Sequence, residues 1–115
     1  MRLAFIGAGR MGEAFLDALL RAGVVTAGEC LASDPLAERR EEIRRKLKVA
    51  TTGDNTEAAQ FGDVLFLAVK PQQLEAVLRE IAPKVAGRKP LVISIAAGKR
   101  LAFLESHLPH ARIIR

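Results

Sequence analysis

The sequence predicts a single α/β domain built around a doubly wound parallel sheet. Short apolar runs alternate along the chain with segments whose apolar residues recur at helical spacing. The run at residues 64–69 (VLFLAV) is apolar without interruption, which is typical of a parallel strand covered on both faces. The chain has 115 residues, of which 50% are hydrophobic, so it can build one core but not two.

The first half of the chain contains the patterns of three strands and two helices. We predict strands at Leu3–Ile6 and Cys30–Ser33 and a brief third strand at residues 49–51. The first helix covers residues 11–21 and ends before Gly23, a natural capping residue. The predicted core face of the first helix comprises Met11, Phe15, Ala18, Leu19 and Ala22. The second helix covers residues 36–47, with Leu36, Ile43 and Leu47 on its apolar side.

The second half continues the alternation. A short helix is predicted at residues 56–60, before the apolar strand at 64–69. Pro71 suits the first turn of the next helix, whose predicted core face comprises Leu74, Val77, Leu78 and Ile81. A fifth strand follows at residues 91–95 and a last one at 111–114. The helix between them is marked by Leu101, Leu104 and Leu108.

Composition excludes several classes of protein. The net charge is +5, but the basic residues are scattered and the chain has no Trp or Tyr, which argues against binding of nucleic acid. No apolar run is long enough to cross a membrane. His107 and His110 lack further ligands nearby, so we expect no metal site. The one cysteine, Cys30, fits a reducing compartment, and we expect a cytoplasmic protein.

A glycine-rich sequence follows the first strand directly and opens the first helix. The first glycine of G-x-G-x-x-G allows a tight turn, the second lets the backbone approach a pyrophosphate, and the third permits close helix–strand packing. The helix N-terminus adds free N–H groups. In this context the pattern predicts a Rossmann-type dinucleotide site, the alternative being a plain connecting turn. Its residues are Gly7, Ala8, Gly9, Arg10, Met11 and Gly12, with Arg10 either a cofactor contact or a solvated side chain.

Asp34 lies twenty-two positions after Gly12, at the end of the second strand. An acidic residue at this place commonly binds the adenosine ribose by hydrogen bonds. A carboxylate at this place accepts hydrogen bonds from ribose hydroxyls and repels a 2′-phosphate, which favours NAD. The neighbouring Ser33, Arg39 and Arg40 could instead hold a 2′-phosphate. Asp34 could also cap the second helix, with Pro35 at the first helical position.

Four stretches together resemble one enzyme family. FIGAGRMGEA near the start, DNTEAA at residues 54–59, DVLFLAVKPQ at 63–72 and ISIAAG at 93–98 resemble 1-pyrroline-5-carboxylate reductase. The resemblance runs from the first strand to the last residue. It implies an enzyme that performs the last step of proline biosynthesis, with NADP(H), or alternatively NAD(H), as the hydride donor to a cyclic imine.

The resemblance also implies roles for individual residues. The glycine turn would cradle the pyrophosphate, and Ser33, Asp34, Pro35 and Asn55 would lie on the adenosine side. Ala68, Val69, Lys70 and Pro71 would line the nicotinamide-side ribose and phosphates, and Ala96, Ala97 and Gly98 the nicotinamide edge. From the residues alone, Asn55 could equally be a helix cap, Lys70 a solvated lysine, and the three small residues mere packing.

The family continues beyond the residue that matches Arg115 into a helical second domain. The resemblance implies that this domain supplies the homo-oligomer interface and most of the imine pocket. We therefore expect residues 1–115 to be the cofactor domain, with no catalytic residue of its own and little turnover alone. The alternatives are a relative of the 3-hydroxyacid or F420-dependent dehydrogenases, and a stand-alone nucleotide-binding module without catalysis.

Overall fold

Six parallel strands form one sheet in the computed structural model, which describes residues 1–95, 101–109 and 112–114. The strands are β1 (Leu3–Ile6), β2 (Cys30–Ser33), β3 (Ala50–Thr52), β4 (Val64–Leu67), β5 (Leu91–Ser94) and β6 (Arg112–Ile114). The helices are α1 (Arg10–Arg21), α2 (Ala37–Leu47), α3 (Asn55–Phe61), α4 (Pro71–Val85) and α5 (Leu101–His107), with a 3₁₀ turn at Ala27–Glu29. The predicted α/β doubly wound class is confirmed.

The strand order is β3-β2-β1-β4-β5-β6, so the direction of winding reverses between β1 and β4. Ile6 pairs with both Ser33 and Leu67, and Leu67 pairs with Ser94. These four residues end their strands at the same level of the sheet. The segments that follow them therefore emerge side by side, at the place where open parallel sheets bind ligands.

Each face of the sheet carries an apolar cluster, and the sheet between them joins the two into the core of one domain. Leu16 of α1 and Ile43 of α2 pack on Leu3, Phe5 and residues of β2 on one face. Helices α3, α4 and α5 pack on the other face. The four residues predicted as the core face of α4 are all buried: Leu74, Val77, Leu78 and Ile81.

The predicted core face of α1 is wrong for four of its five residues. Those that are exposed are Met11 (57%), Phe15 (43%), Ala18 and Ala22. Gly12 and Leu16 are buried instead. A Cβ on Gly12 would lie 2.8 Å from the carbonyl oxygen of Gly7. This close approach fixes the helix with Gly12 towards the sheet, and Leu16 shares that face because it lies one turn later.

The other differences concern the ends of elements. The apolar strand ends at Leu67 rather than at residue 69, because the chain turns there to reach Pro71, the first residue of α4. Helix α2 begins at Ala37, and Leu36, which was predicted on its apolar side, is 65% exposed. Gly23 follows the end of α1 with a φ of +73°, as expected of a capping glycine.

Cys30 lies in β2 and is buried, so we predict that its thiol is inert in the native protein. Burial, with a smaller contribution from the charge of Glu29, raises the pKa of Cys30 to about 11. The reactive thiolate is therefore scarce at neutral pH. Iodoacetamide in mildly alkaline buffer should label the unfolded chain rapidly and the native chain hardly at all. Labelling of both states at the same rate would contradict this prediction.

Two further findings concern the described part of the chain. No helix within residues 1–95, 101–109 and 112–114 is long and apolar enough to span a membrane. The same residues contain no group of three or more His, Cys, Asp or Glu side chains placed to hold a metal ion. His110 lies outside the described residues.

Candidate cofactor site

The glycine turn leaves β1 in a conformation that only glycine adopts easily. Gly7 has a φ of +94°, and a Cβ there would lie 2.8 Å from Cγ1 of Val69 and 2.9 Å from the carbonyl carbon of Ala68. Its N–H donates to the carbonyl of Ser33 at 3.0 Å, which joins the turn to the end of β2. The turn is therefore held between β2 and the segment after β4.

Gly9 differs from the other two glycines of the motif because a Cβ on it would meet nothing within 4 Å. It is the N-cap of α1 and, as a glycine, has no side chain to cap this helix end. The first N–H groups of α1 thus have no intrahelical acceptor and a partial positive charge. An open backbone cradle with free donors fits the pyrophosphate of a dinucleotide.

The peptide groups on either side of Ala8 are tethered by side chains from beyond β2. The carboxylate of Asp34 accepts a hydrogen bond from the Ala8 N–H at 3.3 Å. Arg39 donates from Nε to the Ala8 carbonyl at 2.5 Å. The remaining nitrogens of the guanidinium pair with Glu13 and Glu42, each at 2.6 Å. This network holds the turn in one shape.

Asp34 does not cap α2. Its second carboxylate oxygen accepts from the N–H of Leu36 at 2.9 Å, which forms a local turn before the helix. The N-cap position is occupied by Leu36, which makes no side-chain cap hydrogen bond. Pro35 therefore lies before the helix rather than at its first position, and this alternative for Asp34 is wrong.

Asn55 is fixed by two hydrogen bonds that sequence reasoning did not predict. Its Oδ1 accepts from the hydroxyl of Ser33 at 2.7 Å, and its Nδ2 donates to Glu80 of α4 at 2.9 Å. The cap of α3 is Asp54 instead, whose carboxylate accepts from the backbone N–H of Thr56 at 2.9 Å. The hydrogen bonds from Thr56, side chain first and then backbone, lower the pKa of Asp54. Asn55 is thus free to bridge β2 and α4.

A cleft of about 390 Å³ opens where these segments meet. The predicted site residues Gly7, Pro35, Asn55 and Val69 line it. Sequence reasoning missed the α4 side of the cleft and the loop after β3, which are formed by Gly53, Gln72, Gln73, Ala76, Val77 and Glu80. Residues 73, 76 and 80 are three and four positions apart, which places them on one side of a helix. This spacing could have predicted that α4 lines the cleft.

Of the other predicted residues that the structure describes, Ala8, Gly12 and Ser33 are buried, and the rest are partly or fully exposed. Arg10 and Lys70 are exposed, and Lys70 is the N-cap of α4 with Pro71 directly after it. The N–H of Ala68 donates to the carbonyl of Ile6 at 2.8 Å, which keeps this segment beside the glycine turn. Ala96, Ala97 and Gly98 lie outside the described residues.

The sheet order and the turn at its switch point define the class of this chain as a doubly wound domain of the dinucleotide-binding type. A family model described as NADP oxidoreductase, coenzyme F420-dependent, matches residues 2–98. The chain belongs to that family. The family model is named after coenzyme F420, whereas individual relatives are named pyrroline-5-carboxylate reductase.

Three relatives illustrate this. The pyrroline-5-carboxylate reductase of Methanosarcina acetivorans is 38% identical over 115 residues, which are 99% of this chain and 42% of the relative. The structure of a pyrroline-5-carboxylate reductase from Coxiella burnetii has a TM-score of 0.91 and 31% identity, covering 97% of this chain and 42% of that one. Plasmodium falciparum pyrroline carboxylate reductase with NADP bound has a TM-score of 0.80 and 26% identity, over 94% and 38% of the two chains.

The resemblance to pyrroline-5-carboxylate reductase is thereby confirmed for the whole described sheet. The chain spans about two fifths of the length of these relatives.

Proposed function

We propose that this chain is the NAD(P)H-binding domain of an imine reductase that converts 1-pyrroline-5-carboxylate to L-proline, the last step of proline biosynthesis. The observation that carries the proposal is the match to a pyrroline-5-carboxylate reductase along 99% of this chain, with the open cradle at Gly9 in the matched region. A solved relative with NADP bound supports NADP(H) as the cofactor, with NAD(H) as the alternative.

In this proposal the residues of the chain bind and orient the cofactor. The turn from Gly7 to Gly12 holds the pyrophosphate, and Ser33, Asp34, Pro35 and Asn55 hold the adenosine side. Ala68, Val69, Lys70 and Pro71 line the nicotinamide-side ribose, and Ala96, Ala97 and Gly98 the nicotinamide edge. Reduced nicotinamide supplies the hydride for the imine carbon. The protein's contribution is therefore position and electrostatics.

We propose that most of the imine pocket and the catalytic residues lie in a second domain. None of the described side chains in the cleft is a convincing proton donor to the imine nitrogen, and we assign no catalytic residue here. The apolar groove formed by Leu19, Val24, Val64, Leu91 and Ile93 is a surface that such a domain could cover. We propose homo-oligomers through that domain, no nucleic-acid or membrane partner, and a cytoplasmic location that suits the free thiol of Cys30.

Isothermal titration calorimetry of the 115-residue chain with NADPH and with NADH tests the proposal. We expect saturable one-to-one binding of NADPH, and no reduction of 1-pyrroline-5-carboxylate at a measurable rate by the chain alone. Absence of binding to either cofactor would contradict the proposal. Turnover by the chain alone would show that its own residues complete the imine pocket, which would contradict the need for a second domain.

A further inference from the structure

We propose that Arg40 binds the 2′-phosphate of NADP(H) and determines a preference for NADP(H) over NAD(H), an inference that rests on the proposed function. Arg39 and Arg40 are adjacent in the first turn of α2. Positive charges are unfavourable at a helix N-terminus, so each arginine needs a compensating partner. Within the described residues, carboxylate partners are found for Arg39 and not for Arg40.

Arg39 is already committed to three partners. Its side chain is 18% exposed, and its three nitrogens are engaged by the Ala8 carbonyl, Glu42 and Glu13. A phosphate would have to compete with two carboxylates that already pair with this guanidinium. Arg39 is therefore a positioning residue for the turn, and its charge is already neutralised.

Arg40 is in the opposite situation. Its Nη1 donates to the backbone carbonyl of Asp34 at 2.8 Å, and the side chain is partly buried. Within residues 1–95, 101–109 and 112–114, no carboxylate lies within ion-pair distance of this guanidinium. A partly buried cation without a counter-charge favours the arrival of an anion, and the planar guanidinium matches the oxygens of a phosphate.

The position of Arg40 identifies which phosphate this is. A Cβ on Gly53 would lie 3.1 Å from Nη1 of Arg40 and 3.4 Å from Cζ, so the guanidinium rests against the backbone at the end of β3. Gly53 lines the same cleft as Pro35 and Asn55. The guanidinium is thus at the rim of the adenosine side, next to the end of β3, and β2 separates it from β1 and the pyrophosphate cradle. We infer that a 2′-phosphate projects to this place.

Asp34 does not contradict this assignment. Sequence reasoning expected its carboxylate to repel a 2′-phosphate, but both of its oxygens accept hydrogen bonds from backbone N–H groups, those of Ala8 and Leu36. These donors offset part of the negative charge and hold the carboxylate towards the glycine turn. The guanidinium of Arg40 binds the backbone carbonyl of the same residue, while the carboxylate lies beyond ion-pair distance of it.

The test compares Arg40→Gln with Arg45→Gln, which removes the same charge from an exposed position on the same helix. Calorimetry with NADPH, NADH and adenosine 2′,5′-bisphosphate gives the dissociation constants. We expect Arg40→Gln to weaken binding of NADPH and the bisphosphate by about tenfold or more, since a charge-assisted contact is lost. NADH binding should stay within about twofold, and Arg45→Gln should leave the ratio of the two cofactors unchanged.

Arg40→Lys is the second variant, because it keeps the charge but not the planar fork; it should retain part of the preference for NADPH. Equal losses for NADPH and NADH in Arg40→Gln would overturn the inference while leaving the proposed function intact. The same change of ratio in Arg45→Gln would also overturn it. If the unaltered chain bound neither cofactor, the proposed function and the inference would fail together.

Discussion

Gly7→Ala should lower the free energy of unfolding by about 3 kcal/mol or more, the sum of a strained backbone and a steric clash. The φ of +94° is unfavourable for any residue with a Cβ, and the added methyl would lie within 2.9 Å of the backbone of Ala68 and Val69. Those backbone atoms follow β4 and cannot move without disturbing the sheet. For a domain of this size, the midpoint of thermal unfolding should fall by roughly 10–20 °C.

Gly28→Ala is the matched control for this prediction. Gly28 lies in the 3₁₀ turn, and a Cβ on it would meet nothing within 4 Å. Circular dichroism during heating should show the control melting close to the unaltered chain. If both variants melted at the same temperature, the argument from Gly7's conformation would be wrong.

Gly9→Ala should leave the stability of the fold unchanged and weaken cofactor binding, in contrast to Gly7→Ala. The φ of Gly9 is −72°, which alanine adopts freely, and its Cβ would point into open space. That space is the cradle in which we propose that the pyrophosphate lies. We expect NADPH and NADH to bind about tenfold more weakly or worse, because a methyl group separates the phosphate from the N–H donors of α1.

Thermal unfolding and calorimetry on the same preparation of Gly9→Ala separate the two effects. The melting temperature should stay within a few degrees of the unaltered chain. Undiminished binding of both cofactors would place the pyrophosphate elsewhere. Because the loss should be equal for NADPH and NADH, this variant is also distinct from Arg40→Gln, which changes their ratio.

The sequence alone was sufficient for the fold class and for the order of strands and helices. Buried strands such as β4 are continuous apolar runs, and α4 shows its core face by spacing, because both patterns are imposed by local geometry. The glycine turn was equally readable, since its three glycines meet three separate steric demands: a positive φ at Gly7, open space at Gly9 and close packing at Gly12.

The tertiary structure determined features that the local sequence does not predict. The exposure of Met11 and Phe15 follows from the packing of Gly12 on Gly7, which turns α1 about its axis. Residues of α4 line the cleft because β4, which precedes this helix, is paired with β1 in the sheet. One of them, Glu80, accepts a hydrogen bond from Asn55.

Arg39 and Arg40 show most directly the difference between what the sequence predicts and what the tertiary structure determines. The sequence presented them as equivalent candidates for a phosphate. The fold places Glu13, Glu42 and the Ala8 carbonyl against Arg39. Arg40 lies beside Gly53, and no carboxylate of the described part of the chain pairs with it. Local patterns determine which elements form, because backbone sterics and side-chain periodicity act over a few residues. The availability of a charge depends on groups distant in sequence, and only the packed sheet brings those groups within reach.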